Sequence, residues 1–167
     1  MTKYEELSHL GQTHTLAHFE SRNECRRLAQ ILMGKLADYL DCPRENMRHY
    51  KLHPDWSFGD SGDLLSNAWP DVTQTDDGYW AIGEEITLKG HGSDYAYLTL
   101  YCKFGIKKNG KRFTVRYTKD FDIHESDQTS ITEFCDFFYS DVKADLSRPF
   151  GEQTKRLGFH GGEAVSG

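Results

Sequence analysis

The chain has 167 residues, of which 37% are hydrophobic and 28% charged, with a formal net charge of −6. That length suits one domain with its own core, and ten Phe, nine Tyr and three Trp exclude wholesale disorder. Cys25, Cys42, Cys102 and Cys135 are scattered without a Cys-x-x-Cys pair, which argues against a disulfide framework or zinc knuckle and for reduced core thiols in a cytoplasm.

The first residues, Met1 to His9, carry no apolar run behind a positive start, and no stretch approaches the ~18 apolar residues of a membrane span. A soluble, cytoplasmic chain is expected. Thr2-x-x-Glu5 has the spacing of a capping box, opening a short helix with Tyr4, Leu7 and Leu10 that Gly11 is expected to break or bend. A long helix follows from about Thr13 to Leu40. Its apolar stripe is Cys25, Leu28, Leu32, Leu36 and Tyr39, flanked by Ala29 and Leu40, and Pro43 ends it.

Residues 44–76 are the least regular stretch. Met47–Leu52 reads as a strand, and 54–70 as a loop too rich in Trp56, Phe58, Leu64, Leu65 and Trp69 to be a free linker. Asp77-Gly78 resembles a type I′ turn that would pair 72–75 with 79–88.

The clearest alternation lies in 95–107 and 111–123. Ala96, Leu98, Leu100, Cys102, Phe104 and Ile106 share one face of the first arm. Phe113, Val115, Tyr117, Phe121 and Ile123 share one face of the second. A two-residue Asn109-Gly110 turn would place Ile106 opposite Phe113, Phe104 opposite Val115, and Cys102 opposite Tyr117. The other face would then pair Lys107 with Arg112, Lys103 with Arg116, Tyr101 with Thr118, Tyr97 with Asp122 and Tyr95 with His124.

Ser130-x-x-Glu133 has capping-box spacing before a final helix carrying Ile131, Phe134, Cys135, Phe138, Val142 and Leu146, ended by Pro149. The expected fold is α+β: a long N-terminal helix, an antiparallel meander of about four strands and a C-terminal helix, packed in two layers over residues 1–149. Residues 150–167 read as a flexible, glycine-rich tail.

Charge is segregated along the chain. Lys103, Lys107, Lys108, Lys111, Arg112, Arg116 and Lys119 occur with no acid among them, while every formal charge from His53 to Leu88 is negative. The molecule is therefore expected to be electrically bipolar, with a basic hairpin tip suited to an anionic partner. Overall acidity argues against a dedicated nucleic-acid binder.

Several constellations invite chemistry and fall short of it. His14 and His18 are spaced for one metal, but two ligands are half a site, and their stripe runs into Leu28 and Leu32; no metal is assigned. Asp120, Asp122 and His124 alternate on a strand, roughly 6–7 Å apart by strand geometry, and an ordinary solvated strand alternates in the same way. Asp60-Ser61-Gly62-Asp63 lacks the calcium-loop pattern. Nucleotide, nucleophile-elbow and zincin motifs are absent, so no cofactor and no catalytic residue is assigned.

These features favour a non-enzymatic interaction protein: an accessory, inhibitor or adaptor that binds another protein through the outer face of the hairpin. Tyr95, Tyr97 and Tyr101 would anchor, with Lys103, Lys107, Arg112, Arg116 and Asp122 supplying charge. The alternative is a small-molecule cup or small enzyme with a pocket between sheet and helices, using Trp69, Trp80 and His124. A third reading is weak nucleic-acid binding at the hairpin tip.

Overall fold

The computed structural model describes residues 1–63, 72–89, 96–149, 151–152 and 156–161. Tyr95 and Trp69 lie outside the described residues. The elements in chain order are α1 (Lys3–Tyr39), a short 3-10 turn (Arg44–Asn46), β1 (Met47–Leu52), β2 (Phe58–Asp63), β3 (Thr73–Gln74), β4 (Trp80–Lys89), β5 (Ala96–Asn109), β6 (Arg112–Arg116), β7 (Asp120–Ile123), α2 (Gln128–Leu146) and β8 (Leu157–Gly161). This is the expected α+β arrangement, but its sheet has eight strands rather than four. No helix among the described residues is long and apolar enough to cross a membrane.

The capping box of α1 forms as its spacing predicts. Glu5 N donates to Thr2 Oγ1 at 3.1 Å, and Thr2 N donates back to Glu5 Oε2 at 2.7 Å. Gly11 does not break the helix: α1 is continuous from Lys3, since one interior glycine costs only about 1 kcal/mol. The helix ends at Tyr39, four residues before Pro43, in a Schellman motif. Cys42 N donates to Ala37 O at 2.9 Å and Asp41 N to Asp38 O at 3.2 Å, with Asp41 at φ 50° where glycine is usual. The cap of α2 also differs from expectation. Asp127, not Ser130, caps it, its Oδ1 accepting from Thr129 N at 3.1 Å and Ser130 N at 3.4 Å.

The sheet is antiparallel in the order β2-β1-β4-β5-β6-β7. Its spine is β4 against β5, paired from Trp80↔Ile106 to Lys89↔Tyr97. The opposite edge of β5 is shared: β6 takes 105–109 and β8 takes 96–100. Leu157–Gly161 thus forms a strand inside the stretch expected to be flexible; its glycine-rich composition hid a sheet partner.

The β5–β6 turn lies one residue later than expected. Asn109 pairs with Arg112, so Gly110 and Lys111 make the reversal. Gly110 sits at φ 61° and Lys111 has no positive φ, the pattern of a type II′ turn with glycine first. Ile106 therefore meets Val115, and Lys107 meets Thr114. Shifting each partner by two residues preserves the faces, so the expected dry side survives while the expected base-against-base pairs do not form. The second arm also folds back. Tyr117 N bonds Lys119 O at 3.0 Å, and β7 returns along β6 with Val115↔Phe121 and Arg116↔Asp120. Asp122 consequently pairs with Thr114, and the partner of Tyr97 on that edge is His160.

The Asp77-Gly78 hairpin has a three-residue loop instead of two. Gly78 N bonds Thr75 O at 3.0 Å, Thr75 N bonds Tyr79 O at 2.7 Å, and Gly78 takes φ 86°. Both helices cover one sheet face. Leu28, Leu32 and Leu36 of α1 and Phe134 and Phe138 of α2 meet Ile82, Ile86, Leu100, Phe104, Ile106, Val115 and Ile123.

Candidate functional site

Strand alternation sends the odd residues of β4 and β5 to the side away from the helices. Cross-strand pairing lines up Arg48, Glu85 and Tyr101 in one row and Tyr50, Gly83 and Lys103 in the next. Glycine is needed at two positions on this face. A Cβ on Gly83 would stand 2.5 Å from Phe58 Cε1, and one on Gly105 would stand 2.5 Å from Trp56 Cη2. Phe58 and Trp56, from the segment after β1, lie directly on the backbone there.

An open cleft of about 650 Å³ remains on this outer face, lined by Tyr50, Phe58, Tyr101, Lys103 and Arg156. Phe58 packs edge-on to Tyr50 (5.5 Å between centroids) and to Tyr101 (5.7 Å). Lys103 Nζ lies 5.5 Å from the Phe58 ring, within cation–π range. Tyr50 donates its hydroxyl to Glu85 Oε2 at 2.6 Å. Burial and this bond push the phenol up to about 12, so it stays a donor at neutral pH. Beside the cleft, Thr99 Oγ1 is 2.7 Å from His160 Nε2, and the His160 ring stacks on Tyr97 at 4.8 Å.

Three expected contact residues, Tyr97, Tyr101 and Lys103, therefore share this face. Lys107, Arg112, Arg116 and Asp122 lie elsewhere on it and are engaged within the chain. Lys107 Nζ sits 5.6 Å and the Arg116 guanidinium 4.0 Å from the Tyr79 ring. Arg116 also pairs with Asp77 at 2.7 Å and Asp120 at 3.0 Å. Arg112 pairs with Asp122 at 2.8 Å and Asp127 at 3.7 Å, and Lys108 pairs with Glu24. Lys108, Arg112 and Arg116 of the basic tip are thus laid against acids, some from the adjoining β7 and the cap of α2 and two, Glu24 and Asp77, from distant parts of the chain.

Of the residues expected to line a pocket between sheet and helices, Trp80 and His124 are engaged at different places. Trp80 is in the core, its indole N–H donating to Ser21 Oγ at 3.2 Å and its ring 5.0 Å from His18. His124 instead interacts with Ser126 at the start of α2. His14 is exposed, and no group of three or more His, Cys, Asp or Glu able to hold a metal occurs among the described residues. A second cleft, of about 470 Å³, opens where Leu40 and Pro43 approach Leu88, Phe138, Val142 and Leu146.

Beneath the outer face, on the core side, His49 and Glu84 are both fully buried, with Nδ1 and Oε2 at 2.5 Å. Burial pushes Glu84 well above the usual carboxyl range and His49 down to about 3. Both shifts describe a neutral acid donating to a neutral imidazole. Glu84 Oε1 has no hydrogen-bond partner among the described residues, which an acid carbonyl tolerates better than a carboxylate would.

Sequence reasoning missed Tyr50, Glu85, Arg156 and His160, and singled out Phe58 only as part of an apolar loop. Tyr50 and Glu85 lie in strands the sequence predicts, so their register was the missing information. Comparison of the chain with protein-family models, curated proteins and solved structures finds no match.

Proposed function

We propose that the protein is a non-enzymatic binding protein that seats a segment of another protein on the helix-free face of its sheet. The observation that carries this is the convergence of Tyr50, Phe58 and Tyr101 around an open cleft with Lys103 at its edge. Rigid aromatic side chains beside a cation are the residues that dominate protein-binding surfaces. Cysteine chemistry finds no support: burial pushes the thiols of Cys25 and Cys102 up to about 12 and that of Cys135 to about 11, so they are protonated at neutral pH. The four free cysteines fit a cytoplasmic setting.

One observation favours a second reading. The cleft volume falls within the roughly 300–1,000 Å³ typical of small-molecule sites, so a small aromatic ligand could occupy the same place.

Affinity capture from the native host with the full chain as bait tests the first reading, using the variant Tyr101→Ala/Lys103→Glu as comparison. A protein held by the native chain and lost by the variant, with similar melting temperatures, is the expected result. Equal capture by both overturns the reading. A thermal-shift screen of small aromatic acids tests the second, since a ligand stabilises the state it binds; shifts lost in the variant would transfer the site to a small molecule.

A further inference from the structure

We infer that the cleft where both helices end over the sheet binds a medium-chain fatty carboxylate. Strand parity builds its floor. Ile86 of β4 and Leu100 of β5 are cross-strand partners on the helix side of the sheet, and Phe138 of α2 joins them. All three are buried. α1 stops at Tyr39 and the chain turns through Pro43 into β1, so no further helical turn covers this end of the sheet. Leu40, Leu88 and Val142, which pack on the core, are left half-buried around an opening of about 470 Å³. That volume lies within the roughly 300–1,000 Å³ of small-molecule sites. The cleft is on the opposite side of the sheet from Tyr50, Phe58 and Tyr101, so it stands or falls independently of the outer face.

The charges at this cleft select the head group. Lys89, at the end of β4, and Lys143, in the last turn of α2, line it together with Asp41. Neither lysine makes an ion pair among the described residues; Lys143 only overhangs the Tyr139 ring, at 5.7 Å. Lys108, Arg112 and Arg116 of the hairpin tip, by contrast, each hold a carboxylate. Two ammonium groups against one carboxylate leave a single positive charge, which a singly charged head neutralises and a phosphate dianion exceeds.

The helix ends do not repel such a head through bare carbonyls. Cys42 N and Asp41 N take up Ala37 O and Asp38 O, while Ser147 N and Arg148 N take up Lys143 O and Asp145 O. The Cys42 thiol, which also lines the cleft, is pushed up by burial and adds no negative charge at neutral pH. An alkyl tail on the apolar floor with its carboxylate at the lysines satisfies both parts of the site. A cationic amphiphile satisfies only the first.

Isothermal titration calorimetry on the full chain at low ionic strength tests this with hexanoate, octanoate and decanoate, each below its micelle concentration. One ligand should bind per chain, and Kd should fall about two- to fourfold for each added methylene, the range expected of a cleft open on one side. Decyltrimethylammonium should bind about tenfold more weakly than decanoate. Lys89→Ala and Lys143→Ala, both at exposed positions, should each raise the decanoate Kd about threefold. A Kd unchanged by both would mean that the lysines serve only solvation and the negative end of α2, and would overturn the proposal. The native chain supplies a second readout that needs no variant. Cys42 is the half-buried one of the four free cysteines, so saturating decanoate should slow its alkylation by N-ethylmaleimide about fivefold. Absence of binding, equal affinity for the cationic amphiphile, or undiminished alkylation of Cys42 would each overturn the proposal, the last by placing any bound decanoate elsewhere on the chain.

Discussion

Substituting Glu84 by Gln should change the sign with which stability answers to pH. In the folded protein Glu84 keeps its proton well above 4.5 and His49 stays neutral down to about 3. In the unfolded chain the two return to about 4.5 and 6.5. Above pH 6.5 the folded pair therefore holds one more proton than the unfolded pair. Stability falls as pH rises, by about 1.4 kcal/mol per unit, for as long as Glu84 remains protonated. Between 4.5 and 6.5 both states hold one proton, on different residues, and the contribution is flat. In the Gln variant only His49 titrates. Its depressed folded pKa makes stability constant above 6.5 and lost below it, at about 1.4 kcal/mol per unit. The difference in unfolding free energy, native minus variant, should then slope by about −1.4 kcal/mol per pH unit from about pH 5 upward for as long as Glu84 keeps its proton, with all other groups cancelling. Urea denaturation at each pH, followed by Trp fluorescence, measures it. The proton count is the same whether the shared proton sits on Oε2 or Nδ1, so the test does not depend on that choice. Parallel profiles would refute the reasoning, because they would mean that Glu84 ionises inside the fold as it does outside.

Two further changes probe the supports of the site and of the long helix. Gly83→Ala should cost about 1–3 kcal/mol in denaturant unfolding and loosen the cleft, since the new methyl would stand 2.5 Å from the Phe58 ring; an unchanged midpoint would show that Phe58 does not lie on β4. Asp41→Gly should raise stability by about 1 kcal/mol by relieving a left-handed backbone at φ 50°, and a loss on thermal melting would mean that the Asp41 side chain is needed at the helix end.

Sequence pattern revealed the elements but not which strands meet. The stripe Cys25, Leu28, Leu32 and Leu36 and the inward series Leu100, Cys102, Phe104 and Ile106 are all buried as their periods predict. Alternation could not show that the second arm folds back at Tyr117–Lys119, because Phe113, Val115, Phe121 and Ile123 keep the same parity whether the strand continues or reverses. It could not show that β8 would fill the vacated edge of β5, because the glycines that let a chain bend also let it lie flat in a sheet. The cleft was half legible for the same reason. Tyr101 and Lys103 were assigned to the right face by parity, whereas Tyr50 and Phe58 come from strands whose neighbours no local signal identifies.

Glu84 and Glu85 show how much rests on that parity. The two are chemically identical and adjacent in β4, yet the two-residue period of the strand sends one to each side of the sheet. Glu84 enters a dry layer beside His49, where losing its proton would leave an uncompensated charge, and it stays an acid. Glu85 emerges on the outer face, where it accepts the Tyr50 hydroxyl and so fixes the ring that Phe58 packs against. Removing the first should alter stability and its pH dependence while sparing the cleft, and removing the second should free Tyr50 while sparing the core. The sheet is thin enough for one strand to serve both sides, and the peptide plane between them keeps the two roles separate.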